Sequence, residues 1–205
     1  MEILPQHIRE LIQELTRLPG VGTKTAQRLA FYLLRSHKSL HTSLGSALLK
    51  LKENIMLCER CSNITENSPC VICSDFKRDH STVCVVEEAL DAIALENTHE
   101  YSGVYHVLHG VLSPLDGVGP DDITIFQLKK RIEDGLSERS PRIQEIILAT
   151  NPTVTGDATA LFIQKLLEPF QLTITRIACG IPTGGDLQYA DSSTLKNALS
   201  HRKPY

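Results

Sequence analysis

No apolar run in this chain is long enough to cross a bilayer, so no membrane span is expected. Nor is there a strong excess of either charge. The 21 lysines and arginines face 24 aspartates and glutamates, a net charge of −3 over 205 residues. A protein that coats nucleic acid over its whole surface needs far more positive charge than that. The opening stretch, MEILPQHIRELIQ, is charged and amphipathic and lacks the apolar centre of a secretory signal. A reducing, cytoplasmic compartment is therefore expected. The 8 histidines are scattered and form neither a metal-binding nor a triad-like cluster. At 41% hydrophobic and 22% charged residues, the chain reads as an ordinary globular protein of one or two domains.

What is present is concentrated. The segment CERCSNITENSPCVIC holds two Cys-x-x-Cys pairs, Cys58 with Cys61 and Cys70 with Cys73. Each knuckle aims two thiolates at one point, and two knuckles complete the tetrahedral sulfur shell that zinc prefers. All four positions are cysteine, so no place is left for a catalytic water. A structural zinc holding a small module is expected. A pair of disulfides is the alternative, and the compartment argues against it. Cys84 and Cys179 stand in apolar runs and read as buried packing residues.

The charge is unevenly distributed. Residues 1–57 carry eight Lys/Arg against four Asp/Glu, whereas residues 77–205 carry twelve against seventeen. A basic end suits a polyanion and an acidic end suits something else. In the basic part, Ile8, Leu11, Ile12 and Leu15 fall at helical spacing and predict a first helix. Leu18, Pro19, Gly20, Val21 and Gly22 then force a turn. A second helix is predicted with Thr23 or Thr25 as cap and Ala26, Leu29, Ala30, Leu33 and Leu34 on its buried side. Leu44, Leu48, Leu51 and Ile55 predict a third.

The stretch LPGVGTKTAQRLA resembles the helix-hairpin-helix motif of DNA-binding proteins. The chemistry fits. Gly20 and Gly22 let backbone approach a phosphate, and the second helix turns its N-terminal amides toward it. Lys24 and Arg28, four residues apart, share a face near that terminus and can each meet a phosphate. Two plainer readings compete. Residues 20–25 lack the full glycine, lysine and Ser/Thr spacing of a phosphate-binding loop and follow a helix, not a strand. The other is a corner between two helices whose glycines serve packing alone.

Beyond the cysteines, strand and helix patterns alternate. Strands are predicted over 82–86, 104–108, 143–149 and 172–177. Helical segments are predicted beginning at Asp91, after Asp121 or Asp122 with Ile125, Leu128 and Ile132, and over 155–167. That alternation implies a parallel sheet covered on both faces. A glycine- and proline-rich loop over 110–120 is longer than a plain connection needs. The stretch VVEEALDAIAL resembles the first motif of the Toprim domain of topoisomerases and primases. In that family the glutamate, here Glu87, works with a later Asp-x-Asp to hold magnesium. The matching place, residues 150–153, reads Thr-Asn-Pro-Thr and offers no carboxylate. Magnesium binds through hard oxygen ligands, usually carboxylates, so a Toprim fold without Toprim catalysis is expected. Glu87, Glu88 and Asp91, with Glu96 as a further candidate, then form an acidic patch for a basic protein partner. Acids in a first helical turn also complement the helix dipole and need no other role.

In order, LPGVGTKTAQRLA, the four-cysteine module, SPLDGVGPDDI, ILATNPTVTGDATA and GIPTGGDLQYAD resemble the RecR family of bacterial recombination mediators over essentially the whole chain. The resemblance implies an α/β multi-module protein: a helix-hairpin-helix region (1–57), a zinc module (58–76), a Toprim domain (77–178) and a C-terminal segment in oligomer contacts (179–205). It implies a non-enzymatic DNA-repair protein, a homo-dimer or ring-like homo-tetramer. Such a protein binds single- and double-stranded DNA and works with RecO and RecF to load RecA on gapped DNA. The family's DNA contacts fall on Lys24 and Arg28, beside Gly20 and Gly22, and its partner contacts on Glu87 and Asp91. Asp186 sits in a segment likened in the family to a nucleotide-binding element, but no phosphate-binding loop accompanies it. Two other classes remain open: a magnesium-dependent Toprim nuclease or primase-like enzyme using Glu87 and Asp91, and a zinc-stabilised adaptor that binds only proteins.

Overall fold

The computed structural model describes residues 3–136, 141–200 and 202. The chain divides into two compact units, the first ending at Ile55 and the second beginning at Met56.

The first unit is three helices: α1 (Gln6–Thr16), α2 (Thr23–Arg35) and α3 (Lys38–Lys50). Ile12 of α1 meets Ala26 and Ala30 of α2, with Leu4, Ile8, Leu15 and Val21 around them. Two alanines one turn apart let the helices approach closely, so the core is small. Leu29 and Leu34, expected on the buried side, are exposed instead, since α2 buries only its alanine stripe. The third helix ends at Lys50, short of Ile55, and buries none of its residues. It is fastened to α2 by polar contacts: the His41 ring Nε2–H donates to the Leu33 carbonyl at 2.6 Å, and Ser36 Oγ donates to it at 2.7 Å.

In the second unit the cysteine module contributes a small antiparallel pair, β1 (Met56–Leu57) with β2 (Ile64–Thr65), and one turn of helix, α4 (Val71–Ser74). The sheet follows: β3 (Asp79–Val86), α5 (Ala89–Glu96), β4 (Gly103–Val107), α6 (Ile125–Leu136), β5 (Glu145–Ala149), α7 (Val154–Leu167) and β6 (Thr173–Arg176). All pairings within it are parallel and the strand order is β4-β3-β5-β6. Alternation along the strands feeds two cores. Val83, Val85, Val104, Ile146 and Leu148 pack with residues of α6 and α7, while Cys84, Val86, Tyr105 and Val107 pack with Ala92 and Leu95 of α5. Burying an aliphatic side chain of this kind contributes about 1.5–3 kcal/mol, which sets the register firmly. A turn follows β6, with Gly184 at φ +84° and the Gly185 amide bonded to the Pro182 carbonyl, and then α8 (Ser192–Ser200).

The loop over 110–120 is ordered rather than slack. Ser113 and Val118 form an isolated antiparallel bridge, and the Leu112 amide donates to Thr159 Oγ1 at 2.9 Å. Neither Asp121 nor Asp122 caps α6, which begins at Ile125; Asp122 instead accepts from the Gly119 amide at 2.8 Å. Cys84 is buried as expected, its thiol pushed up to about 12 by burial. Cys179 is half-exposed, because it follows β6 in a loop and not inside a strand.

Candidate functional site

The four knuckle cysteines converge. Their sulfurs lie within 4.8 Å of one another and all four residues are buried. Cys61 and Cys70 Sγ are 3.6 Å apart. Zinc at about 2.3 Å from each sulfur sets tetrahedral S···S distances at about 3.8 Å, so the donor set fits zinc. The Cys70 amide donates to Cys58 Sγ at 3.3 Å, the type of contact that stabilises a ligating thiolate. Four thiols this close ionise unequally by themselves. Hydrogen bonding from Cys61, then Cys70 and Cys73, holds Cys58 far below an ordinary thiol, while Cys61 and Cys73 are pushed up, each first through its contact with Cys58. A divalent cation supplies the charge that lets all four act as thiolates.

The module also closes the outer edge of the sheet. Along β4 the Gly103 carbonyl accepts from Arg78 Nη1 at 3.0 Å and the Tyr105 carbonyl from Arg131 Nη1 at 2.7 Å. The Val107 amide donates to the Cys61 carbonyl at 2.9 Å, and the Val107 carbonyl accepts from Thr124 Oγ1 at 2.5 Å. His109 Nε2–H adds a bond to the Ser62 carbonyl. An edge strand left open is a template for unwanted pairing, and here side chains and a zinc knuckle occupy it. Burial lowers the Arg131 guanidinium, and the negative charge of Cys73, Cys61 and Cys58 opposes that.

The strand order reverses between β3 and β5, and the carboxyl ends of those strands are where an open α/β sheet places a ligand. Glu87 and Asn151 stand there. Glu87 is buried, and both of its oxygens are taken by Asn151: the backbone amide reaches Oε1 at 2.8 Å and the side-chain amide Oε2 at 2.6 Å. Gly156 completes the closure, since a methyl in its place would run into the Asn151 carbonyl and Glu87 Oε1. Thr150 Oγ1 donates to the Gly156 carbonyl at 2.8 Å and accepts from Arg176 Nη1 at 2.9 Å. Arg176 also pairs with Asp157 at 2.6 Å, so that aspartate faces a guanidinium from the first turn of α7. An amide thus occupies the carboxylate on which a magnesium ion would sit.

The acidic patch is smaller than its sequence suggests. Asp91 Oδ2 accepts from the Glu88 amide at 2.9 Å in a reciprocal capping box at the start of α5, while Glu88 is exposed. Glu96 lies at the other end of that helix, paired with Arg78 at 2.6 Å, and does not belong to the patch. Asp91 also lines a cavity of about 440 Å³ with Asn151 and Thr194.

In the first unit the turn between α1 and α2 places Gly20 at φ +79°, a left-handed conformation that glycine alone adopts cheaply. Gly22, not Thr23 or Thr25, occupies the cap position of α2, in extended backbone. No side chain caps this helix start, and among the described residues no acceptor meets the amides of Lys24 and Thr25. Chain neighbours aside, no side chain or backbone of the described residues crowds within 4 Å of the position a Cβ would take at Gly20 or Gly22. Lys24 and Arg28 are exposed, and neither joins an ion pair among the described residues. The result is an open, positively polarised helix start with two cations beside it.

Reading the sequence alone missed the amide clasp on Glu87 and the arginines on the β4 edge. The asparagine was visible as the residue standing where a carboxylate was sought. Nothing local marks Arg78 or Arg131, whose partners lie 25 and 26 residues away.

These sites define a class: a hairpin unit with an open helix start, joined to a zinc-supported parallel sheet whose switch-point glutamate is held by an asparagine. Family models match in the same order: the RecR helix-hairpin-helix over residues 8–52, the RecR four-cysteine zinc finger domain over 55–75, the Toprim domain over 81–178 and the RecR C-terminal element over 180–203. The chain is 47% identical over 203 residues to Recombination protein RecR of Heliobacterium modesticaldum, covering 99% of each. It is 49% identical over 199 residues to Recombination protein RecR of Myxococcus xanthus, covering 97% of this chain and 98% of that one. The chain belongs to the RecR family, and its four-cysteine module is a zinc site.

Proposed function

We propose that this chain is a non-enzymatic, DNA-binding recombination mediator of recombinational repair in the cytoplasm. In this reading it acts with RecO- and RecF-type partners to help load a RecA-type recombinase on gapped or single-stranded DNA. The observation that carries it is the uncapped start of α2, with Lys24 and Arg28 in no ion pair among the described residues. Open amides and two cations at a helix start bind phosphate without reading bases. One hairpin offers few such contacts, so dimers or tetramers gain affinity through effective concentration. The acidic partner surface is Glu88 and Asp91 at the start of α5, with Glu87 buried behind them as the anchor of Asn151. Lys24→Glu is expected to weaken binding to any DNA by about tenfold at moderate salt, measured by anisotropy of a labelled oligonucleotide. Unchanged binding would remove the hairpin from the account.

The same reading makes the Toprim sheet catalytically silent. Supercoiled plasmid incubated with the protein and magnesium or manganese is expected to stay intact; nicking that Glu87→Gln abolishes would establish an enzyme instead.

A further inference from the structure

At the far end of α2 from the hairpin, Arg28, Phe31, Tyr32, Arg35 and His37 line an open groove of about 700 Å³. We propose that this groove holds an unpaired base of single-stranded DNA, stacked on Tyr32 between the cations of Arg28 and Arg35. The inference rests on the reading of Lys24 and Arg28 as phosphate contacts and adds the part that distinguishes a single strand from a duplex.

Three observations converge on it. Residues 28, 32 and 35 fall on one face of α2, so the ring is flanked by two guanidiniums. Tyr32 is 65% exposed, an unusual place for an aromatic ring that has no hydrogen bond or ring contact among the described residues to hold it there. Finally, no acid lines the groove among the described residues, and the sequence from residue 15 to residue 52 contains seven lysines and arginines and no aspartate or glutamate. Charge complementarity therefore selects a polyanion, and the aromatic face selects one whose bases are unstacked. Ser36, which lines the groove, is held by its bond to the Leu33 carbonyl, which also accepts from His41 of α3. The start of α3 has no side-chain cap and adds its positive end there. From Lys24 to Tyr32 the helix advances about 12 Å, so a strand gripped at the hairpin runs along α2 to the tyrosine. In a duplex the bases are paired and stacked inward, and the groove gains only the phosphates.

The test uses the full-length, zinc-loaded chain with oligo(dT) and with a duplex of equal length at fixed salt. Because the chain has no tryptophan, its emission comes from its 5 tyrosines, and quenching on adding oligo(dT) reports stacking directly. Tyr32→Ala is expected to weaken oligo(dT) binding about tenfold and abolish most of the quench, with duplex affinity unchanged. Tyr32→Phe is expected to keep oligo(dT) affinity, and Lys24→Glu to weaken both ligands. If Tyr32→Ala alone loses the single strand while Lys24→Glu loses nothing, the hairpin reading fails and the groove stands. Wild-type oligo(dT) affinity in Tyr32→Ala overturns the proposal. So does equal loss of both ligands, or a change in solution mass showing that a second copy covers the groove. A wild-type chain that binds no single strand also overturns it.

Discussion

Asn151 decides what the carboxyl ends of β3 and β5 can do. Its backbone and side-chain N–H groups each satisfy one oxygen of the buried Glu87 carboxyl. Asn151→Asp places a second carboxylate against Glu87, and like charges at that distance cannot both ionise cheaply. The variant is expected to lose about 1–3 kcal/mol at neutral pH, read by urea unfolding. It should recover part of that loss when magnesium is added or when pH falls far enough to protonate one of the pair. A variant as stable as the parent and indifferent to magnesium would show that the clasp does not control the site. His106 offers a second residue-scale test. It is fully buried, its Nε2–H donating to the Thr124 carbonyl at 2.9 Å, and burial pushes its pKa down to about 3 from an ordinary 6.5. A folded-state value below the unfolded one means that the unfolded chain takes up the proton first. This contribution to stability is therefore complete above pH 6.5 and declines as pH falls toward about 3. The fall in unfolding free energy between pH 7 and pH 5.5 is expected to be shallower in His106→Gln than in the parent. Equal slopes would remove the histidine from the pH response.

Zinc and sheet are coupled through β4. The Cys61 carbonyl accepts from Val107 inside the strand, so loss of the metal is expected to loosen that edge as well as the knuckles. Cys58→Ser, or chelation, should release zinc and raise hydrogen exchange at the Val107 amide, while exchange in β5, two strands inward, changes far less. Zinc-free protein with unchanged exchange at Val107 would separate the two. Arg131→Met leaves the Tyr105 carbonyl without its 2.7 Å donor at a closed edge and is expected to cost about 1–3 kcal/mol. The elements themselves were legible to different degrees. The order of strand and helix followed from β-branched runs separated by helical periodicity, because β4 is buried along its whole length and β3 along its second half. The zinc knuckles followed from spacing together with the expected reducing compartment. The helical unit was legible as helices but not as packing: Leu29 and Leu34 share the apolar periodicity of Ala26 and Ala30, and only the latter are covered. Periodicity reports which face is apolar; it does not report whether a partner lies against it. Arginines sealing a strand edge carry no periodic signature, since their bonds depend on residues remote in sequence.

At the scale of the molecule the charge is split between the two units. The first carries +4 and the second −7, which together give the net −3. A polyanion is attracted to one and repelled by the other, a split that supports the proposed division between a DNA-contacting hairpin unit and an acidic remainder for a basic protein partner. Leu44, Leu48 and Leu51 stand exposed on and just after α3, an apolar stretch that suits the proposed oligomer. The most direct test of phosphate grip at the hairpin is the salt dependence of DNA affinity in the parent and in Lys24→Glu. Affinity is expected to fall steeply with salt whatever the base sequence, and the slope of log K against log salt to shrink by about one in the variant. Identical slopes in the two proteins would contradict it.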